Sequence, residues 1–171
     1  MSDLRSKVIR LAHANPSLRP HLLPLLKQAS EVNVPGVHIL GAAEVFGKAK
    51  VSDRATVSDN VKVWGSALIY DEAKVSKDAL VSKDAEVGGK ALVFDNAEVF
   101  GNAIITGEAM VHGQARVFGD ATVSGKAKVF GRAVVRGTAD ISGTAVILGG
   151  AWDGSEGPIT EGRWKAPGVP A

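Results

Sequence analysis

The sequence predicts an all-β solenoid: a triangular parallel β-helix of about six coils, preceded by a short N-terminal α-helical segment. Three observations carry that expectation. From Ala43 to Ala151 every sixth position is alanine, eighteen times in nineteen, with Val61 the exception. Two residues after each of these, from Val45 to Ile147, stands valine or isoleucine. Two further on comes glycine (twelve of eighteen), aspartate (Asp53, Asp59, Asp71, Asp95) or lysine (Lys77, Lys83). The unit reads A-x-V-x-[GD]-x, and Val37 to Ala42 form a preceding hexad with valine in place of alanine.

A period of six does not fit the 3.6-residue helical repeat, but it is three pleats of a strand, whose side chains alternate between faces. The alanine, the valine and the turn residue share one parity, and the variable positions share the other. A β-branched residue and a frequent glycine in every hexad also disfavour helix. Fixed short periods mark solenoids, in which each unit buries its apolar residues against the next coil. Pairs such as Gly101-Asn102, Asp59-Asn60 and Asp95-Asn96 supply residues that tolerate left-handed backbone, so they read as the corners.

The aromatic residues indicate three sides. Phe46, Phe94, Phe100, Phe118, Phe130, Tyr70 and Trp64 all fall between the valine and the turn residue. Positions 46, 64, 100 and 118 differ by multiples of eighteen, as do 94 and 130, which is the spacing of stacked residues on a coil of three hexads. Nineteen hexads then give a little over six coils, a prism roughly 30 Å long at about 4.8 Å per coil.

The segment before the repeat, residues 1–36, has a different pattern. Leu4, Val8, Leu11 and Ala12 fall at helical spacing after Ser2, and Asn15-Pro16 ends that stretch because proline restricts the residue before it. Leu22, Leu23, Leu25 and Leu26 follow Pro20 at a helix start, with Pro24 between them as a kink. The segment is basic, with Arg5, Lys7, Arg10, Arg19 and Lys27 against Asp3 and Glu31. It reads as a cap over open strand edges. The alternatives are a docking segment acting through Leu4, Val8, Leu11, Leu22, Leu23, Leu25 and Leu26, or an organelle presequence. At the other end, residues 152–171 carry Trp152, Trp164, Pro158, Pro167 and Pro170. They are expected to cap the last coil or bind a partner without continuing the ladder.

Composition narrows the function. The chain of 171 residues has no cysteine, which removes disulfides and thiolate metal sites. Its formal charge is +2, and in the repeat Lys and Arg alternate with Asp and Glu, which argues against a nucleic-acid groove. No apolar run approaches the ~20 residues of a membrane span, and no secretory signal is visible. A cytoplasmic or virion-associated protein without a cofactor is the expectation.

Runs such as Ala97-Glu-Val99-Phe-Gly101-Asn102-Ala103 resemble the bacterial β-solenoid repeat family of the YdcK type, whose unit is A-x-V-x-G-[ND], over roughly two thirds of the chain. The hexads are more distantly similar to the left-handed β-helix of hexapeptide acyltransferases and γ-type carbonic anhydrases, in which the small turn residue tends to follow the aliphatic directly. They are also similar to bactofilins, whose repeats are less regular. The N-terminal run Leu4-Arg5, Val8-Ile9-Arg10-Leu11-Ala12-His13, Asn15-Pro16 and Leu18-Arg19-Pro20-His21-Leu22-Leu23 resembles leading segments of otherwise unrelated bacterial and phage proteins.

Catalytic constellations are sparse. A carbonic-anhydrase-like zinc site needs three converging histidines, whereas of His13, His21, His38 and His112 only His112 lies well inside the repeat. The repeat runs without an insertion that could form a lid, and no P-loop, G-x-S-x-G or H-E-x-x-H occurs. What remains is surface. With three sides, one outward face gathers Leu92, Phe94, Met110, His112, Phe130, Val146 and Leu148, and another carries Phe46, Trp64, Phe100 and Phe118. The third is read as mostly Ser, Thr, Gly, Asp and Lys. Contiguous apolar side chains at outward parity mark an interface, although cross-coil stacking that only stiffens the strands would also place them there. The sequence therefore points to a non-enzymatic structural or assembly protein, a rigid rod that oligomerises or attaches to a phage particle or bacterial scaffold. A trimeric acyltransferase-like or γ-carbonic-anhydrase-like protein with a degenerate site is the alternative.

Overall fold

The computed structural model describes residues 36–165. The segment expected to be helical, with its leucines, lies outside them. Within the described residues the chain is a parallel β-solenoid with three faces. Face A holds eight strands, from His38–Ile39 to Val146–Gly149 and then Arg163–Lys165. Face B holds seven, from Glu44–Val45 to Ala151–Trp152, and face C six, from Lys50–Val51 to Asp140–Ile141. Nearly every strand is a dipeptide, and the chain visits the faces in the order A, B, C. The eight strands of face A make about seven turns, because the tail adds one beyond the hexads.

The register is eighteen residues throughout the repeat. Leu92 pairs with Lys74 below and Met110 above, Glu98 with Leu80 and Arg116, and Ile104 with Glu86 and Thr122. Three N–H groups per hexad donate to the coil above: Leu92 to the Ala109 carbonyl at 2.9 Å, Phe94 to Val111 at 3.0 Å and Asn96 to Gly113 at 2.9 Å. The inward column from Ala55 to Ile147 is fully buried, with Val61 accommodated in an alanine slot. Ala43, Val45, Ala49 and Val51 of the first coil are only partly buried.

The corner residues have the left-handed backbone their identities imply. Asp53, Asp59, Asp71, Lys77, Lys83 and Asp95 take φ between 58° and 65°, a region that costs an L-residue roughly 1–2 kcal/mol. Aspartate recovers part of that cost by accepting the backbone N–H of the corner one coil above. Asp59 accepts from Lys77 at 2.9 Å, Asp71 from Gly89 at 3.0 Å, and Asp95 from Gly113 at 3.2 Å. Each such bond is worth about 1 kcal/mol, so the two effects nearly cancel.

Two expectations are corrected at the C-terminal end. The strand Val146–Gly149 runs four residues, and the corner moves to Gly150, whose φ is 91°. The next strand is thereby displaced by one residue: Ala151 pairs with Val134 and Trp152 with Val135. Ala151, which the repeat places inward, is exposed, and Trp152 takes the inward parity. The tail, expected to leave the ladder, instead returns to it. Arg163–Lys165 pairs parallel to Val146–Gly149, and Ile159 bridges Ile141. Pro158 does not prevent this, because the donor there is the Ile159 N–H, which reaches the Asp140 carbonyl at 2.9 Å.

Candidate functional site

The upper half of face A is the candidate. Its outward side chains come in rows of two, one from the strand and one from the residue after it: Leu92 and Phe94, Met110 and His112, Lys128 and Phe130, Val146 and Leu148. The eighteen-residue register stacks like positions on one another. The Phe94 and His112 rings lie 4.7 Å apart at an interplanar angle of 2°, and His112 and Phe130 lie 4.9 Å apart at 9°. These distances match the spacing between neighbouring strands, about 4.7–4.9 Å. An in-register ladder therefore brings parallel rings into contact without any adjustment. The ring faces are occupied by one another, and the surface is made of ring edges and aliphatic tips.

Stacking also sets exposure. Of the eleven side chains predicted for the interface, only Phe46, in the first coil, is exposed, at 45%. The others are half-buried.

Asp95 joins this stripe to the corner beside it. Its carboxylate accepts from the Lys77 Nζ at 2.6 Å and lies 3.7 Å from the His112 Nδ1. The Lys77 hydrogen bond holds the Asp95 carboxyl below its ordinary range. Burial of the imidazole between the phenyl rings lowers the His112 pKa from its ordinary value, against the opposing pull of Asp95. Lys77 also sits over the Phe94 ring, 5.5 Å from its centroid. Composition alone does not reveal this cluster, but adding eighteen to each corner position does, since 77, 95 and 113 form one column.

Face B carries the second aromatic set as two separate stacks. Phe46 lies over Trp64 at 6.0 Å, and Phe100 over Phe118 at 4.7 Å. Between them comes Ser82, which is 5% exposed. Arg116 places its guanidinium 5.4 Å from the Phe100 centroid and 5.7 Å from Phe118 while donating to Glu98 at 2.9 Å. Faces A and B thus bear aromatic stripes, but they are distinct surfaces separated by the corner column Asp95, Gly113 and Gly131.

Face C is less polar than its sequence suggests. It carries Leu68, Tyr70 and Ile104 among its Ser and Thr residues, and Ile104 is 37% exposed. The Tyr70 ring lies over Gly88, where a Cβ would come within 2.3 Å of it, so the glycine makes room for the aromatic from the coil below.

Two concavities lie elsewhere. A shallow groove on the corner between faces C and A is lined by Asp53, Arg54, Asp71, Glu72, Gly89 and Lys90, with Arg54 and Glu72 paired at 2.7 Å. A cavity of about 110 Å3 lies beneath the C-terminal tail, between Ile141, Trp152 and Ile159. No group of three His, Cys, Asp or Glu among the described residues is placed to hold a metal ion. No described helix is long and apolar enough to cross a membrane. Comparison with family models, curated proteins and solved structures finds no match.

Proposed function

We propose that this chain is a non-enzymatic structural element, a rigid rod whose Leu92–Leu148 face attaches it to further copies or to a larger assembly such as a bacterial scaffold or phage particle. One observation carries the reading. Four consecutive rows of one face hold seven apolar or aromatic side chains, on a surface whose inward column is already filled by Ala and Val. The solenoid does not require large side chains there to bury its core, and it holds them in fixed register by stacking. His112, the histidine within this face, has both ring faces covered by phenyl rings, which suits packing better than proton transfer to a substrate.

The test is the double change Phe94→Lys with Phe130→Lys. Both side chains point outward, so circular dichroism should show a folded protein. Sedimentation should show a lower-mass species or loss of partner binding, since apolar contact area is worth on the order of 25 cal/mol per Å2. A folded variant with unchanged mass and unchanged binding means that the rings serve only to stiffen the strands. A transferase or anhydrase would instead show acyl-CoA or zinc binding to the wild-type protein.

A further inference from the structure

The apolar stripe has an electrostatic border that distinguishes it from the rest of the rod. Lys90, Lys126, Lys128, Arg132, Arg163 and Lys165 stand within it or along its edges. The carboxylates beside it are Asp95, already bound by Lys77 at 2.6 Å, Glu108, which has Lys126 at 3.8 Å, and Glu161 above Thr144. Six cations against three carboxylates leave a surplus of three. Residues 36–165 as a whole carry 15 Lys and Arg against 16 Asp and Glu, so the remainder of the described surface is net acidic. Apolar tips and positive charge therefore coincide on one face.

Resting on the reading of this face as the contact surface, we propose that it binds an anionic lipid surface, lying flat against the headgroups rather than crossing the membrane. Three features select that partner. A second copy docked by the same face would set one cationic surplus against another, and like charges at an interface disfavour the pairing. Four rows at about 4.8 Å make a strip only about 19 Å long, so within the roughly 800 Å2 per partner of a standard protein interface the stripe would be one part of a larger contact. The stripe itself is a flat ladder of ring edges and aliphatic tips, and the two concavities described above lie off its rows, at the corner between faces C and A and under the tail. A bilayer needs neither a groove nor shape complementarity. It rewards shallow apolar tips together with basic side chains near the headgroups.

Co-sedimentation of the full chain with vesicles tests this. The protein should pellet with mixed phosphatidylcholine–phosphatidylglycerol vesicles and stay in solution with pure phosphatidylcholine, and added salt should release it. Lys128→Glu with Arg132→Glu should lower partitioning at least about tenfold, since each basic residue near an anionic surface contributes measurably. Lys50→Glu with Lys62→Glu, an equal change of charge away from the stripe, should stay within about twofold of wild type. Equal losses in the two doubles would mean that binding follows total charge, which overturns the proposal. So would a Lys128→Glu/Arg132→Glu protein that binds like wild type, because the contact would then lie elsewhere in the chain. If wild type ignores anionic vesicles while Phe94→Lys/Phe130→Lys still alters an oligomer or a protein contact, the face is a contact surface and the bilayer is not its partner. If no variant changes either assay, both readings fall.

Discussion

At the scale of single residues, parity decides what a position tolerates. Val99 is fully buried in mid-stack, and Val99→Asp would place a charge there without a partner. The cost is several kcal/mol out of a typical total of about 5–15, so circular dichroism should show an unfolded chain. Glu98→Lys, one residue away and outward, gives up its Arg116 contact at 2.9 Å. Exposed ion pairs are worth at most about 1 kcal/mol, and the variant should fold. His112 supplies a pH signature. Its pKa is lowered in the folded protein from an ordinary 6.5, chiefly by burial between the phenyl rings. The unfolded chain therefore binds the proton more readily, and stability falls as the pH drops through and below that ordinary value. Asp95, whose carboxyl is lowered by the Lys77 hydrogen bond, loses its contribution only in stronger acid. His112→Phe keeps the stack and removes the titrating group. Its melting temperature should fall less than that of wild type between about pH 8 and about pH 5. Parallel curves for the two proteins would show that the imidazole is not the acid-sensitive group.

At the scale of the coil, the unit is three dipeptide strands joined by three left-handed corners, and this much was legible in the sequence. The Ala–Val parity and the eighteen-residue recurrence of aromatics define the faces without any long-range information, because each coil repeats the environment of the one before. The aspartate corners were legible for the same reason: Asp59 and Asp95 stand in glycine slots, and the structure gives them the positive φ of those slots. What was not legible depends on single residues or on distant pairing. The displaced corner at Gly150 has no periodic signal, since Gly149 and Gly150 are both able to turn. Tyr70 over Gly88 is a contact between a large and an absent side chain that a six-residue period does not report. Corner chemistry makes a sharp prediction. Gly125 has φ 64°, and a Cβ there would come within 2.8 Å of the Gly143 nitrogen. Gly125→Val adds a β-branched side chain to backbone that disfavours it, at a cost of about 2 kcal/mol or more. Lys83→Gly relaxes a corner already at φ 61° and gives up only the contact of its Nζ with Phe100 at 5.4 Å. Thermal melts should separate the two clearly, with Gly125→Val well below wild type and Lys83→Gly within a few degrees of it.

At the scale of the whole molecule, a solenoid stays dispersed only if its last coil is closed, because every coil presents the N–H groups that would bond the next. Here the chain closes that end with itself. Val134 donates to the Gly150 carbonyl at 2.7 Å, Arg136 to Trp152 at 2.8 Å, Ser142 to Ile159 at 2.8 Å, Thr144 to Thr160 at 2.8 Å and Val146 to Gly162 at 2.8 Å. Ile159, 7% exposed, seals the column above Ile141, while Trp152 and Trp164 meet edge to face at 5.9 Å. The outermost strand, Arg163–Trp164–Lys165, carries two cations, a common device for keeping a sheet edge from pairing with another chain. Ending the chain after Gly149 removes all five acceptors and that charged edge together. The repeat below remains intact, since each coil is held by its neighbours, so the truncated protein should keep its β-sheet circular dichroism. Its last coil then offers unpaired N–H groups beside an uncovered Ile141, an edge ready to pair with another chain. Light scattering should show association that grows with concentration, absent from the full chain under the same conditions. The double replacement Arg163→Thr with Lys165→Thr, in the full chain, should give a milder version, because the closing strand stays but loses its repulsion. A truncated protein that is folded and as well dispersed as wild type would show that the tail does not protect this end, and that the charges on its last strand serve some other contact.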